Sequence, residues 1–370
     1  MKKNYYSILV VGNGSIGVAE NDRFFIPNHT GDLMLKLKSY GYTPTYMAPA
    51  SLYDPNSDLL NFELNQNGIR SSVLNKVNLF QFVQTLCSEV WKAQFIYLFY
   101  PGTIGKIIAL LCIFIGKPFG LYVRGGRYND SWLSRIILRS ASFMLTVSPS
   151  IEDELRLFCQ NIQTIRPMTF IDEANKLNRH LLRVAPRCWQ ILFVGNLSEG
   201  KGIRELLNAA MILNQEQFPF QLSLVGGGEL YNELSEWLPS SPLSANVKLV
   251  GLISDKNKLL SKYENSDLFI LPTYNEGFPR VLYEAMITAL PIITTMVGGI
   301  PGRMKNGKNC IAIDVKSSAA IVSAIKLLTS DLNLYNTIGR EGQNTVLNVL
   351  KENIGHADLL CEYLRKTNVR

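Results

Sequence analysis

Short apolar runs that alternate with helix-length amphipathic stretches constrain the fold of this chain more than any other feature. In the first half, Ser7–Val11, Thr43–Met47, Phe95–Phe99, Phe119–Val123 and Met144–Val147 have the length and composition of strands. Helical periodicity fills Thr30–Tyr40, with Leu33, Leu37 and Tyr40 on one face and Gly41 as the stop, then Ile104–Ile115 and Ser134–Ser142. Ser150 with Asp153 resembles a capping box opening the next helix. In the second half, strands at 190–194, 221–225, 247–250, 267–271, 291–295 and 310–313 flank helices at 202–213, 229–237, 256–263 and 279–289. Unbroken apolar runs of this length suit strands buried on both faces. Alternation with helices then implies parallel sheets with right-handed crossovers, an α/β fold.

The alternation breaks once. Arg166 to Arg187 holds no sustained apolar run, and Pro167 and Pro186 stand near its ends. The expected organisation is a first domain over 1–165, a linker over 166–188, a second domain over 189–345, and a C-terminal helix over 346–370 packing back on the first. A length of 370 residues suits two such domains. A 47% hydrophobic content with 18% charged residues supplies two cores and excludes a disordered chain. Doubly wound sheets bind ligands beyond the carboxyl ends of their strands. Two such domains facing each other there would hold a ligand between them.

The formal net charge of +7 points to an acidic partner, for which nucleotide diphosphate, anionic lipid and nucleic acid all qualify. Residues 92–139 carry seven basic residues against Asp130 alone. The six cysteines form no Cys-x-x-Cys pair, so zinc and redox motifs are absent and a reduced cytoplasmic setting fits. The N-terminal apolar run stops at Gly12 and reads as a first strand, not a signal peptide. Ile107–Gly116, between Lys106 and Lys117, is too short to span a bilayer; a core helix and an interfacial one both fit its length.

Chemistry concentrates in the second half. After the strand 267–271, Gly277 permits a tight loop and Pro279 suits a first helical turn. The amides of Arg280, Val281 and Leu282 would then open onto an anion site. Glu276 and Glu284 flank it, and two carboxylates beside a phosphate make sense as acceptors for hydroxyls, which sugar and ribose supply; a dipole-stabilising acid and a surface residue are the plainer roles for them. Phe193-Val194-Gly195-Asn196 leads to Lys201-Gly202 ahead of a helix. A lysine there opposes the helix dipole but suits a phosphate. It fits neither a Walker loop nor Gly-x-Gly-x-x-Gly.

Glu276 and Glu284 with seven residues between them, inside Glu-Gly-Phe-Pro-x-x-x-x-Glu-Ala-Met, resemble the Glu-x7-Glu motif of glycosyltransferase family 4. The flanking Val225-Gly226-Gly227-Gly228, Val250-Gly251-Leu252, Ala289-Leu290-Pro291 and Gly298-Gly299-Ile300-Pro301 agree in order. The resemblance implies a GT-B fold, two Rossmann-like domains facing across a cleft, and retention of anomeric configuration. It makes Glu276 and Lys201 the catalytic residues. It assigns donor binding to Gly195, Asn196, Lys201, Gly277, Phe278, Arg280, Val281, Leu282 and Glu284, with Gly12 and Gly14 from the first domain. Glu276 would touch the donor sugar, Lys201 the diphosphate and Glu284 the ribose. Asn196 stands where relatives carry Arg, Gly302 where they often carry Glu, and Arg124 where they often carry His.

Arg124 and Arg127 follow a first-domain strand and are the candidates on the acceptor side, with an acceptor contact, a phosphate contact or a structural ion pair all open for Arg124. His29, His180 and His356 fall in no catalytic spacing. With no Asp-x-Asp motif, Lys201 and helix amides are expected to replace a metal, and no cofactor is implied. The expected partners are a nucleotide-sugar donor, a glycan or lipid-linked acceptor, and an anionic membrane surface met by Lys106, Lys117, Arg135 and Arg139; no nucleic-acid motif is present. Competing readings are a sugar-nucleotide epimerase of the same fold, which needs acid/base groups this histidine-poor chain scarcely offers, and a non-catalytic subunit, against which intact Glu276, Glu284 and Lys201 argue.

Overall fold

The computed structural model describes residues 6–53, 60–75, 78–125, 128–166, 186–352 and 354–367. Contacts divide the chain into two units, Met1–Met168 with Ile354–Arg370, and Thr169–Asn353. Most of the expected linker, 167–185, lies outside the described residues.

The first unit runs β1 (Tyr6–Val11), β2 (Ile16–Ala19), β3 (Arg23–Ile26), α1 (Asn28–Ser39), β4 (Tyr42–Leu52), β5 (Phe62–Glu63), β6 (Arg70–Leu74), α2 (Leu79–Lys92), β7 (Phe95–Tyr100), α3 (Thr103–Ile115), β8 (Phe119–Val123), α4 (Trp132–Ser140), β9 (Phe143–Thr146), α5 (Pro149–Leu155) and β10 (Ile162–Thr164). The sheet order is β10-β9-β8-β7-β1-β4-β2-β3-β5, with β6 also on β4. Its central strands are parallel and apolar throughout; every residue of β7 and β8 is buried. Leu86, Val90, Ile108, Cys112, Ile137 and Leu155 cover one face from α2, α3, α4 and α5. Leu33 and Leu37 of α1 cover the other. Local chemistry sets the helix ends: Asn78 caps α2 through Gln81, Ser131 caps α4 through Ser134, and Gly116 closes α3 in the left-handed region.

Several expectations are corrected. The loop that follows β1 leads into an antiparallel hairpin, β2–β3, absent from the sequence reading because its short strands carry too little pattern. The strand expected over Thr43–Met47 continues to Leu52 because β2 and β6 pair with its far end. Ser148, not Ser150, is the N-cap of α5.

The second unit runs β11 (Trp189–Val194), α6 (Ile203–Gln215), β12 (Phe220–Val225), α7 (Tyr231–Trp237), β13 (Val247–Gly251), α8 (Lys256–Glu264), β14 (Leu268–Leu271), α9 (Arg280–Ile287), β15 (Ile292–Thr295), β16 (Ile311–Ile313), α10 (Ser318–Ser330) and α11 (Leu332–Glu352). All six strands are parallel in the order β13-β12-β11-β14-β15-β16. Counted within the unit this is 3-2-1-4-5-6, the Rossmann order, and it reverses between β11 and β14.

The C-terminal helix expected over 346–370 is two helices. α11 stays with the second unit, burying Tyr335, Ile338, Val346 and Val349, while α12 (His356–Thr367) adds Ala357, Leu359, Leu360 and Leu364 to the core of the first. Gly355, a poor helix former, stands between them.

Candidate active site

At the reversal point of the second unit, the loops after β11 and β14 are joined backbone to backbone. The Tyr274 amide donates to the Gly200 carbonyl at 2.9 Å, and the Thr273 hydroxyl donates to the same oxygen at 3.2 Å. Gly202 has φ +70°, and a Cβ there would stand 2.2 Å from the Pro272 carbonyl oxygen, so only glycine admits this approach. From behind, the buried Thr295 and Thr294 hydroxyls donate to the carbonyls of Thr273 at 2.6 Å and Leu271 at 3.0 Å. The Tyr274 hydroxyl reaches Glu205 on α6 at 2.6 Å.

These ties bring Lys201 and Glu276, 75 positions apart, into a half-buried ion pair. Glu276 is held from its other side as well. Gly299 donates its amide to the Glu276 carbonyl at 3.0 Å, and Gly298, at φ +55°, lies so close that a Cβ would stand 1.8 Å from that oxygen. Gly195 donates to the Val225 carbonyl at 3.0 Å, which fixes the loop that presents the exposed Asn196.

Helix α9 starts beside this pair. Pro279 is its N-cap, not part of its first turn, and the helix ends at Ile287. Gly277 is partly exposed, and Phe278 turns inward to lie 4.5 Å from the Tyr283 ring. Of the three amides expected to be open, that of Leu282 donates back to the Pro279 carbonyl at 3.1 Å; Arg280 and Val281 remain as the donors of the helix end. Arg280 is exposed and Val281 half-buried.

Glu284 is not a surface residue. It is buried, and accepts a hydrogen bond from the Tyr263 hydroxyl of α8 at 2.8 Å. Burial raises its carboxyl above the usual range, while the Tyr263 bond and the Arg280 charge oppose that shift. Tyr263 carries no local signal in the sequence that would link it to Glu284. Arg303, after the last glycine motif, has a buried Nε, and its charge is felt at the buried Tyr283 hydroxyl; neither atom makes a geometrically sound hydrogen bond among the described residues.

The first unit shows a different picture. Gly12 follows β1, and its missing side chain is required by Tyr46, whose hydroxyl would stand 1.9 Å from a Cβ there. Gly14 faces open space. The loops after β1 and β7 meet where Asn13 donates to the Pro101 carbonyl at 3.4 Å. Arg124 is exposed at the end of β8, and its charge is felt at Tyr46 and His356. Arg127 lies outside the described residues, as does His180. His29 sits in the first turn of α1, not ahead of it.

His356 is the residue that sequence reasoning passed over. It is buried, its Nε2 is 2.7 Å from the Tyr97 hydroxyl, and its ring lies 4.3 Å from that of Tyr122. Burial, then the charges of Arg124 and His29, push its pKa down to about 3. Its partner is 259 positions away, so no local pattern reports the contact.

The family description Glycosyl transferases group 1 matches residues 182–345, which holds the loops after β11 and β14 and helix α9. Over 290 residues the chain is 31% identical to the capsular polysaccharide biosynthesis glycosyltransferase CapM of Staphylococcus aureus, covering 71% of this chain and 73% of that protein. The chain belongs to the group 1 glycosyltransferases. A shorter match, 31% over 135 residues, joins this glycosyltransferase to the amylovoran biosynthesis glycosyltransferase AmsK of Erwinia amylovora, over 35% of this chain and 33% of that one. Among solved structures, Anabaena HepE in complex with UDP and glucose superposes with a TM-score of 0.67 at 16% identity, covering 99% of this chain and 100% of that one. Sucrose-phosphate synthase from Thermosynechococcus elongatus gives 0.67 at 18% identity over 98% of both. At such identities the likeness shows the fold, which is GT-B with two Rossmann-like α/β units.

Proposed function

We propose that this glycosyltransferase moves a sugar from a nucleoside-diphosphate sugar to a glycan or lipid-linked acceptor, with retention at the anomeric carbon and without a metal. The observation that carries the reading is the Lys201–Glu276 pair beside the N-terminus of α9, at the point where the strand order reverses. An ammonium and the amides of Arg280 and Val281 suit a diphosphate. Lys201 has three donors, so it can keep Glu276 while giving another to phosphate. In transfer, the bond from the anomeric carbon to the β-phosphate oxygen breaks and that oxygen gains charge. Lys201 and the helix amides stabilise it by preorganised electrostatics. The acceptor hydroxyl bonds to the anomeric carbon and its proton passes to the departing phosphate. Glu276 accepts from sugar hydroxyls and Glu284 from the ribose. The Glu276–Glu284 spacing supports membership of family 4.

Uridine is the favoured nucleotide, because HepE is solved with UDP and with UDP-glucose. Assembly of an extracellular polysaccharide is the favoured setting, from the names of CapM and AmsK. The test is a thermal-shift screen of nucleotide-sugars followed by transfer assays. A ligand that binds only the folded state raises Tm. Stabilisation by a UDP-sugar that Lys201→Ala abolishes supports the reading; no shift with any nucleotide-sugar overturns it.

A further inference from the structure

One face of the first unit exposes large apolar side chains. Helices α2, α3 and α4 lie in one layer, with α3 against both neighbours, and each buries its inner side in the same core. Helix α3 turns Ile108, Ala109 and Cys112 inward, and Ile107 and Phe114, two turns apart on another side, outward. Phe114 is 88% exposed, Phe80 of α2 78%, Trp91 of α2 76% and Trp132 of α4 69%. Single exposed apolar residues need no explanation, but aromatics gathered on three adjoining helices mark an interaction surface.

The charges on these helices say what it meets. Lys92, Lys106, Arg135 and Arg139 stand on them against two acids: Glu89, which is buried and paired with Arg70 and Lys92, and Asp130, just ahead of α4, which pairs with Lys106 at 3.4 Å. Arg135 and Arg139 are exposed on α4 and carry most of the excess positive charge. A second copy seated face to face would set these cations against themselves. We propose that the α2–α3–α4 face docks on an anionic lipid bilayer, its aromatics entering the headgroup region and its basic residues meeting the lipid phosphates. The helices lie on the surface and do not cross it; among the described residues no helix is long and apolar enough to span a membrane. Lys117 drops out of the basic set expected from sequence. Its ammonium donates to the carbonyls of Val90, Trp91 and Ala93 at 2.7, 2.8 and 2.7 Å, closing the C-terminal end of α2.

The docking stands apart from the transfer reaction and is read without turnover. Wild type, Phe114→Ser/Trp132→Ser and Lys106→Gln/Arg135→Gln/Arg139→Gln are sedimented with phosphatidylcholine vesicles, with and without phosphatidylglycerol, at low and high salt. Phe114, Trp132, Arg135 and Arg139 are exposed, and Lys106 is half-buried in a partly exposed ion pair with Asp130 that contributes little to stability, so the melting temperatures of the variants should stay close to wild type. Wild type is expected to bind only the phosphatidylglycerol vesicles and to leave them at high salt, and each variant to bind on the order of tenfold more weakly. Wild type that ignores anionic vesicles, or variants that sediment as wild type does, overturns the proposal. So does a wild-type dimer in analytical ultracentrifugation that Phe114→Ser/Trp132→Ser dissolves, because the occupant is then a second copy.

Discussion

At the scale of single residues, Lys201 and Glu276 share one ion pair at the proposed donor site, so their losses should look alike in rate. Lys201→Ala and Glu276→Ala are each expected to lower kcat on the order of 10²–10³-fold, the range for removing one preorganised stabilising group, with far-ultraviolet circular dichroism unchanged. Near-normal turnover by either variant removes that residue from the reaction. Gly298→Ala reaches the same carboxylate indirectly. The added Cβ meets the Glu276 carbonyl at a positive φ, so kcat should fall even though Gly298 touches no reacting atom. Glu284 links function to stability. Its carboxyl titrates above its ordinary 4.5, so between that value and the raised one the folded state holds more protons than the unfolded. Stability therefore falls as pH rises through that window. Glu284→Gln keeps an acceptor for Tyr263 and cannot titrate. Its Tm should lose this pH slope, while the KM for the donor rises about tenfold or more with loss of the charged ribose acceptor. An unchanged KM would take Glu284 out of the donor site.

Among the elements, α12 carries weight out of proportion to its length. Ala357, Leu359, Leu360 and Leu364 complete the core of the first unit, and truncating a single buried leucine to alanine commonly costs roughly 2–5 kcal/mol. A chain ending at Asn353 should therefore lose amide protection in β1 and β7 while β11 and β14 keep theirs in hydrogen exchange. Equal protection in the two sheets would show that α12 is dispensable. The same helix makes the first unit acid-sensitive. His356 is neutral when folded, with its pKa down to about 3 against 6.5 for an ordinary histidine. Between those values the unfolded chain binds the extra proton, so stability falls as pH falls through the window. Replacing the pair together, His356→Phe with Tyr97→Phe, avoids stranding the tyrosine hydroxyl and should flatten that limb of the Tm profile. An acid limb identical to wild type would place the sensitivity elsewhere.

For the whole molecule, the reading predicts indifference to chelation. If Lys201 and the amides of α9 supply the positive potential a divalent ion would otherwise give, as proposed, EDTA should leave the transfer rate nearly unchanged. Complete loss restored by manganese or magnesium would show that the leaving phosphate depends on a metal. The net charge of +7 does not distinguish a diphosphate from a lipid surface; position does, since Lys201 sits in the second unit and Lys106, Arg135 and Arg139 on the outer helices of the first.

The sequence alone determined the alternation of strands and helices, the break between its two series, and the local spacing of Glu276, Glu284 and Lys201 against strand ends. These are short-range properties, written in apolar periodicity and in the placement of glycine and proline. It missed the β2–β3 hairpin, whose strands are too short to show a period, and it ran the last helix across Gly355. Only the tertiary structure decided which strands are neighbours. Periodicity does not encode strand order, so neither the reversal between β11 and β14 nor the direct ion pair of Lys201 with Glu276 follows from it; only the resemblance placed the two residues at one donor site. The same holds for Tyr263 on Glu284 and Tyr97 on His356. Each joins residues whose separation in the chain says nothing of their distance in space, because crossover helices set that distance and burial then sets the chemistry.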